Sequence, residues 1–221
     1  MGTSERRERE KAERREAIVD AAEVVFVRDG YAASTMGLIA NEAEVSKGTL
    51  YLYFESKDDL RGAIAERWLG LLIDRLRPKL EVAKTGIDGV AAVLEAYDEH
   101  FAATPRHCRM TISWLAGDGP PGITRSFESH RRRVAEVVTL VVGQLVRGQE
   151  DGTVRQDVNP GLVAMELWGS FLGVQLILQN REHVEVWSSM SIAWDELPET
   201  FRRIKLDGLR AQPAQPSEEE R

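Results

Sequence analysis

Apolar residues return every three or four positions along almost the whole of this 221-residue chain, which is the spacing of one face of an α-helix and not the alternation of a strand. Ile18, Ala21, Ala22, Val25 and Phe26 mark a first helix over about 10–29, and Gly30 stops it in a backbone conformation that side chains resist. Ser34 or Thr35 can cap a short second helix, Met36 to Ala43, and Ser46 to Tyr53 makes a third of about two turns. Ser56 precedes Lys57-Asp58-Asp59-Leu60, where two acids suit the positive end of a fourth helix. That helix carries Leu60, Ile64, Trp68, Leu71 and Leu72 inward and ends near Pro78. Longer elements follow at about 87–103, 106–116, 123–149, 160–179 and 195–210, the fourth of them opened by Asn159-Pro160. No strand pair and no repeat is visible, so the fold class is all-α, with about nine helices.

Composition narrows the chemistry. With 29% charged and 43% hydrophobic residues the chain is folded and water-facing. The apolar stretches Val134 to Leu145 and Leu162 to Leu178 are broken by Glu136, Glu166 and Gln175, short of the run of ~18 apolar residues that crosses a bilayer. The start, MGTSERREREKAERRE, lacks the apolar region of a signal peptide, so the expected location is the cytoplasm, with no membrane partner. One cysteine, Cys108, allows no internal disulfide, and its spacing from His100, His107 and His130 fits no zinc pattern. No metal and no cofactor are expected, and the motifs of hydrolases and metalloproteases are absent. Arg131-Arg132-Arg133 reads as a solvated helix face, and the arginines and glutamates of the first 16 residues as i,i+4 pairs on a fraying helix start, residues 1–9 forming a flexible arm. The Pro-, Gln- and Glu-rich tail 212–221 is expected to be disordered. A net charge of −7, taken over the whole chain, argues against a nucleic-acid partner.

The window Thr35 to Leu60 argues the other way. Two short helices joined by a tight turn after a longer support helix form a helix-turn-helix, whose second short helix enters the DNA major groove. Ile39, Ala40, Val45 and Leu50 are placed to lock the pair, leaving Ser46, Lys47, Gly48, Thr49, Tyr51 and Tyr53 outward. Gly48 lets backbone approach, Thr49 offers a hydroxyl and a methyl to base edges, and Tyr51 and Tyr53 offer phenolic donors to phosphate. The competing reading is a three-helix packing unit whose tyrosines cover core. Between Ser46 and Lys57, Lys47 and Lys57 stand against Glu55 alone, so the expected salt dependence of DNA binding is shallow.

These residues resemble the TetR family of bacterial transcriptional regulators, in the run Gly30-Tyr31, Ser34-Thr35, Ile39-Ala40, Val45-Ser46-Lys47-Gly48-Thr49-Leu50-Tyr51, Tyr53-Phe54, Ser56-Lys57 and Leu60. The resemblance implies that Thr35 and Met36, opening their helix, touch phosphate, that Lys47, Gly48 and Thr49 face bases, and that Tyr51, Tyr53 and Lys57 hold phosphates. Two departures stand out: Glu44 where the turn usually carries glycine, and a second carboxylate at Glu55. The resemblance further implies a helix-turn-helix domain at 1–57 and a helical effector-binding and dimerisation bundle at 58–211. By layout, the effector pocket falls to Trp68, Tyr97, Phe101, Met110, Trp114, Trp168 and Gln175. The dimer seam falls to Gly169, Phe171, Gly173, Val174, Leu178, Leu197, Phe201 and Ile204, with ordinary core as the competing role for each. The expected partners are double-stranded operator DNA, a small hydrophobic or amphipathic effector, and a second copy of the chain, in a bacterial cytoplasm and on the nucleoid when bound. The alternative function is a helical protein–protein scaffold, or a DNA-binding protein without a ligand switch.

Overall fold

The computed structural model describes residues 3–105, 107, 110, 125–182 and 191–211. The expected helix at 106–116, with Cys108 and Trp114, lies largely outside them, as does the tail at 212–221. Eight α-helices are found among the described residues: α1 (Thr3–Asp29), α2 (Met36–Glu42), α3 (Lys47–Tyr53), α4 (Lys57–Val82), α5 (Gly86–Ala103), α6 (Arg125–Glu150), α7 (Pro160–Asn180) and α8 (Leu197–Leu209). A single 3₁₀ turn, Trp194–Glu196, leads into α8, and one isolated β-bridge pairs Val154 with Arg210. Two compact units divide these elements: α1 to α3 with α4 to Gly70 and α6 to Ala135, and α4 from Leu71 with α5, the rest of α6, α7 and α8.

In the first unit, the apolar stripe of α1 is buried as its spacing predicts, with Ile18, Ala22 and Val25 wholly enclosed. Gly30 then turns the chain at a φ of 78°. The helix begins at Thr3, earlier than the apolar pattern requires, because its first turns are held by Arg6–Glu10 and Arg9–Glu13 ion pairs at 3.2 and 3.6 Å. Ile39, Ala40, Leu50, Phe54, Leu60 and Ile64 complete this core. Arg67 of α4 reaches Asp20 at 2.5 Å and Glu23 at 2.7 Å, neutralising one flank of α1.

In the second unit, Pro78 does not end α4; the helix runs on to Val82. A proline inside a helix removes one hydrogen bond, and the segment is held instead from outside. Lys79 bridges Glu95 and Glu99 at 3.0 Å each, and Arg147 donates to the Ala83 and Lys84 carbonyls. Leu71, read as inward, is half exposed, at 49%. Thr85 and Asp88 form a capping box that opens α5. There Gly86 meets α6 so closely that a Cβ would overlap the Gly148 backbone.

The apolar character of α7 needs a correction. By length and composition Pro160–Asn180 is long and apolar enough to cross a membrane, despite the interruptions at Glu166 and Gln175. Only a third of its most apolar stretch is buried. Ala164, Leu167, Phe171 and Leu172 face the core, whereas Leu162, Met165 and Leu176 are exposed.

Candidate nucleic-acid interface

Caps build the helix-turn-helix. Thr35, and not Ser34, caps α2, its hydroxyl accepting from the Leu38 amide at 3.2 Å. Ser34 is buried and donates to the Gly30 carbonyl at 2.6 Å. Ser46 caps α3, accepting from the Thr49 amide at 3.0 Å, and its hydroxyl also pairs with that of Thr49 at 2.9 Å. Each cap satisfies an amide that a helix start leaves open, which is how helices of seven residues persist. Between them Glu44 takes a φ of 52°, a left-handed conformation at the position where the resemblance places glycine.

With Leu50 and Phe54 anchored in the core, the other side of α3 is set outward. Ser46, Lys47 and Gly48 are exposed, Tyr51 is 53% exposed, and Thr49, Tyr53 and Met36 are half-buried. Leu52 is 83% exposed while Phe54 is buried, so the pair divides between surface and core. Val45 covers the turn only partly. The result is one outward face of hydroxyls, one cation, a bare backbone and two phenols, groups that can donate to phosphate and meet base edges.

Lys57 has a different place from the one the resemblance implies. Its ammonium donates to the carbonyls of Tyr31 at 2.8 Å, Ser34 at 3.2 Å and Ala32 at 3.4 Å, and lies 4.5 Å from the centre of the Tyr31 ring. The Tyr31 hydroxyl bonds Asp58, and Arg61 covers the same ring. Burial first, and Asp58 second, hold the Tyr31 phenol well above its usual range, so it stays a neutral donor. The first turn of α4 thus clamps the turn that carries the Thr35 cap. Lys57 positions the interface from within, and Lys47 is the cation that α3 presents.

Three contributors were not visible as such in the sequence. Gly37 leaves room for the Lys47 stem, since a Cβ there would stand 2.8 Å from Lys47 Cε. Arg28 ties the end of α1 to Glu42 of α2 at 2.8 Å. Arg15 stacks 5.1 Å from the Phe54 ring centre, at the close of α3. Gly37 has no local signal; the other two are long-range pairings that residue spacing does not disclose.

Other predicted site residues part company. In the second unit Tyr97, Phe101 and Phe171 form a cluster with ring centres 5.0 to 6.2 Å apart, extended by Phe201 at 6.1 Å from Phe171. Gln175 is buried, Met110 and Trp168 are half-buried, and Trp68 is buried in the first unit's portion of α4. Of the seam residues, Phe171 and Phe201 are intrachain core, because their rings close the cluster on Tyr97 and Phe101. Gly169 and Ile204 are exposed, and Gly173, Val174, Leu178 and Leu197 are half-buried.

Residues 18–64 match the family described as bacterial regulatory proteins, tetR family. The chain is 26% identical over 163 residues to the fatty acid metabolism regulator protein of Bacillus subtilis (strain 168), covering 69% of this chain and 77% of that protein. It is 27% identical over 179 residues to the HTH-type transcriptional repressor DhaR of Mycobacterium sp. (strain GP1), covering 77% and 86%. Its fold superposes with a TM-score of 0.70 on the transcriptional regulator FadR from Bacillus subtilis in complex with stearoyl-CoA, at 19% identity and with 88% and 99% of the two chains covered. Capped α2 and α3, the left-handed turn at Glu44 and the outward Ser46-to-Tyr53 face all fall within the matched segment, so residues 18–64 belong to the tetR family of bacterial regulatory proteins.

Proposed function

We propose that the chain is a homodimeric repressor that a hydrophobic or amphipathic effector releases from a palindromic operator. The observation that carries the reading is the outward face of α3, anchored from behind by Leu50 and Phe54. Residues 1–57 read DNA: Lys47, Gly48 and Thr49 face bases, while Thr35, Met36, Ser46, Tyr51 and Tyr53 meet phosphates. Lys57 acts through the clamp on Tyr31. Two such helices, one from each subunit, enter successive major grooves ~34–36 Å apart, so a small change in their separation weakens binding. Effector and operator then oppose each other by linkage. The protein works in the cytoplasm, on the nucleoid when bound, and its output is occupancy of DNA and not turnover.

Residues 58–211 hold the effector and pair the subunits. Support for an apolar effector comes from the aromatic cluster of Tyr97, Phe101 and Phe171, from the relative that regulates fatty acid metabolism, and from the similar fold solved with stearoyl-CoA. Support for pairing comes from the outward stripe Leu162, Met165, Gly169, Gly173 and Leu176 of α7, beside Ile204 of α8, where glycines allow close helix approach. A groove of about 490 Å³ runs between these helices, lined among others by Leu162, Glu166 and Ile204.

The test is retention of a duplex selected from a random pool, with and without stearoyl-CoA. Salt-sensitive, sequence-selective retention that Lys47→Ala or Tyr51→Ala abolishes, with the dimer intact, is the expected result, and stearoyl-CoA should release the wild-type protein. Retention unaltered in the double variant overturns the reading of α3, and no retention at low salt favours a protein–protein scaffold.

A further inference from the structure

We propose that the first four turns of α1 form a second DNA-contact element, a basic stripe that grips the operator backbone beside the major groove read by α3. The inference rests on the DNA-binding reading above and extends it to residues outside the helix-turn-helix.

The stripe is Arg7, Lys11 and Arg14. Their three- and four-residue steps continue through Ile18, Ala22 and Val25, so they prolong the very face by which α1 packs in its unit. Most acids of this segment are engaged elsewhere, the exposed Glu8 excepted. Glu10 and Glu13 pair with Arg6 and Arg9, Glu16 is shared by Arg15 and Arg67, and Asp20 and Glu23 hold Arg67. Among the described residues no ion pair or hydrogen bond engages Arg7, Lys11 or Arg14, and all three are exposed. Apart from Glu8, the mixed charge of the sequence is therefore sorted by geometry, acids taken up at the flanks and three cations left along one line.

Position and length both fit a DNA strand. Arg15, next to the stripe, stacks on Phe54 where α3 ends, so the stripe leaves the unit at the edge of the reading helix. At 1.5 Å per residue, Arg7 to Arg14 span about 10 Å, against about 3.4 Å of duplex axis per phosphate on one strand. Three cations thus meet about three phosphates. A lipid surface fits poorly, because residues 3–16 contain no large apolar side chain to insert.

Each phosphate neutralised adds about 0.9 to the slope of log affinity against log salt, so the stripe should add about 2.7 per subunit and about 5.4 for the dimer, in place of the shallow dependence expected from the face of α3 alone. The experiment measures operator affinity at 50 and 200 mM salt for the full chain, Arg7→Gln/Lys11→Gln/Arg14→Gln, and Arg6→Gln/Arg9→Gln, whose cations are already paired. Across that range the wild-type dimer, with two stripes, should lose about 1,800-fold more affinity than the triple variant. The paired-cation variant should follow the wild type, and thermal melting should show all three equally folded. On a duplex trimmed to the bases under α3, the wild-type and triple-variant slopes should converge. Equal slopes on the long duplex, with sequence-selective binding intact, overturn the stripe alone and leave it to an acidic protein partner. Loss of selective binding by the wild type overturns the DNA-binding reading itself, and the stripe with it.

Discussion

Glu44 is where residue-scale physics and function pull apart. A side chain in the left-handed region costs about 1–2 kcal/mol through the approach of Cβ to the following carbonyl oxygen, and the φ of 52° puts Glu44 there. Glycine would relieve that cost, less what it gains in unfolded-state freedom. Glu44→Gly should therefore raise stability by about 0.5–1 kcal/mol, read as a higher urea midpoint, and remove a carboxylate from the DNA-facing turn, so operator affinity should rise too. A fall in stability would show that the carboxylate makes a compensating contact. The sequence pointed to this strain only through the family resemblance, which places glycine where Glu44 stands; the positive φ itself comes from the fold. The role of Lys57 was not legible in the sequence: only the fold brings the carbonyls of Tyr31 and Ser34 to its ammonium. Phe171 and Phe201 were misplaced for a similar reason, since helical spacing says which residues share a face but not which neighbour that face meets.

At the scale of elements the helices were readable because the apolar period, Gly30, the Ser and Thr caps and Pro160 are local signals. The start of α1 and the continuation of α4 past Pro78 depend on ion pairs and carbonyl contacts, so their limits moved. A consequence that no local pattern shows lies in α5. His100 is fully enclosed there; burial first, then the charge of Arg75 and neighbouring His107, push its pKa down to about 4. The unfolded chain takes up this proton near pH 6.5 and the folded chain only near 4. Between those values the unfolded state binds more protons, so stability present above pH 6.5 is lost as the pH falls towards 4, by up to about 3 kcal/mol. His100→Phe should flatten that part of the profile. Urea midpoints at pH 7.5 and 5 for both proteins check it, and an equal drop in the variant would assign the dependence to other groups.

At the scale of the whole molecule, the question is what covers α7. α7 is apolar along its length yet buried over only a third of its most apolar stretch, which leaves a contiguous outward apolar face of the kind that marks an interaction site. The stripe from Leu162 through Gly169 to Leu176 repeats at three- and four-residue steps, as a helix seam does. Ile204 on α8 borders the same groove. A second copy of the chain presents the identical stripe, and a two-fold axis makes such a patch complementary to itself. Leu162 and Ile204 are 72% and 62% exposed, so charging them leaves the subunit core untouched. Leu162→Arg/Ile204→Glu should give a folded monomer in sedimentation, with thermal melting showing an intact subunit and affinity for a palindromic operator reduced by at least tenfold. Phe171→Arg should instead unfold the chain, because that ring lies in the aromatic cluster. A Leu162→Arg/Ile204→Glu protein that still sediments as a dimer would move the interface off this face and leave the apolar side of α7 to another partner.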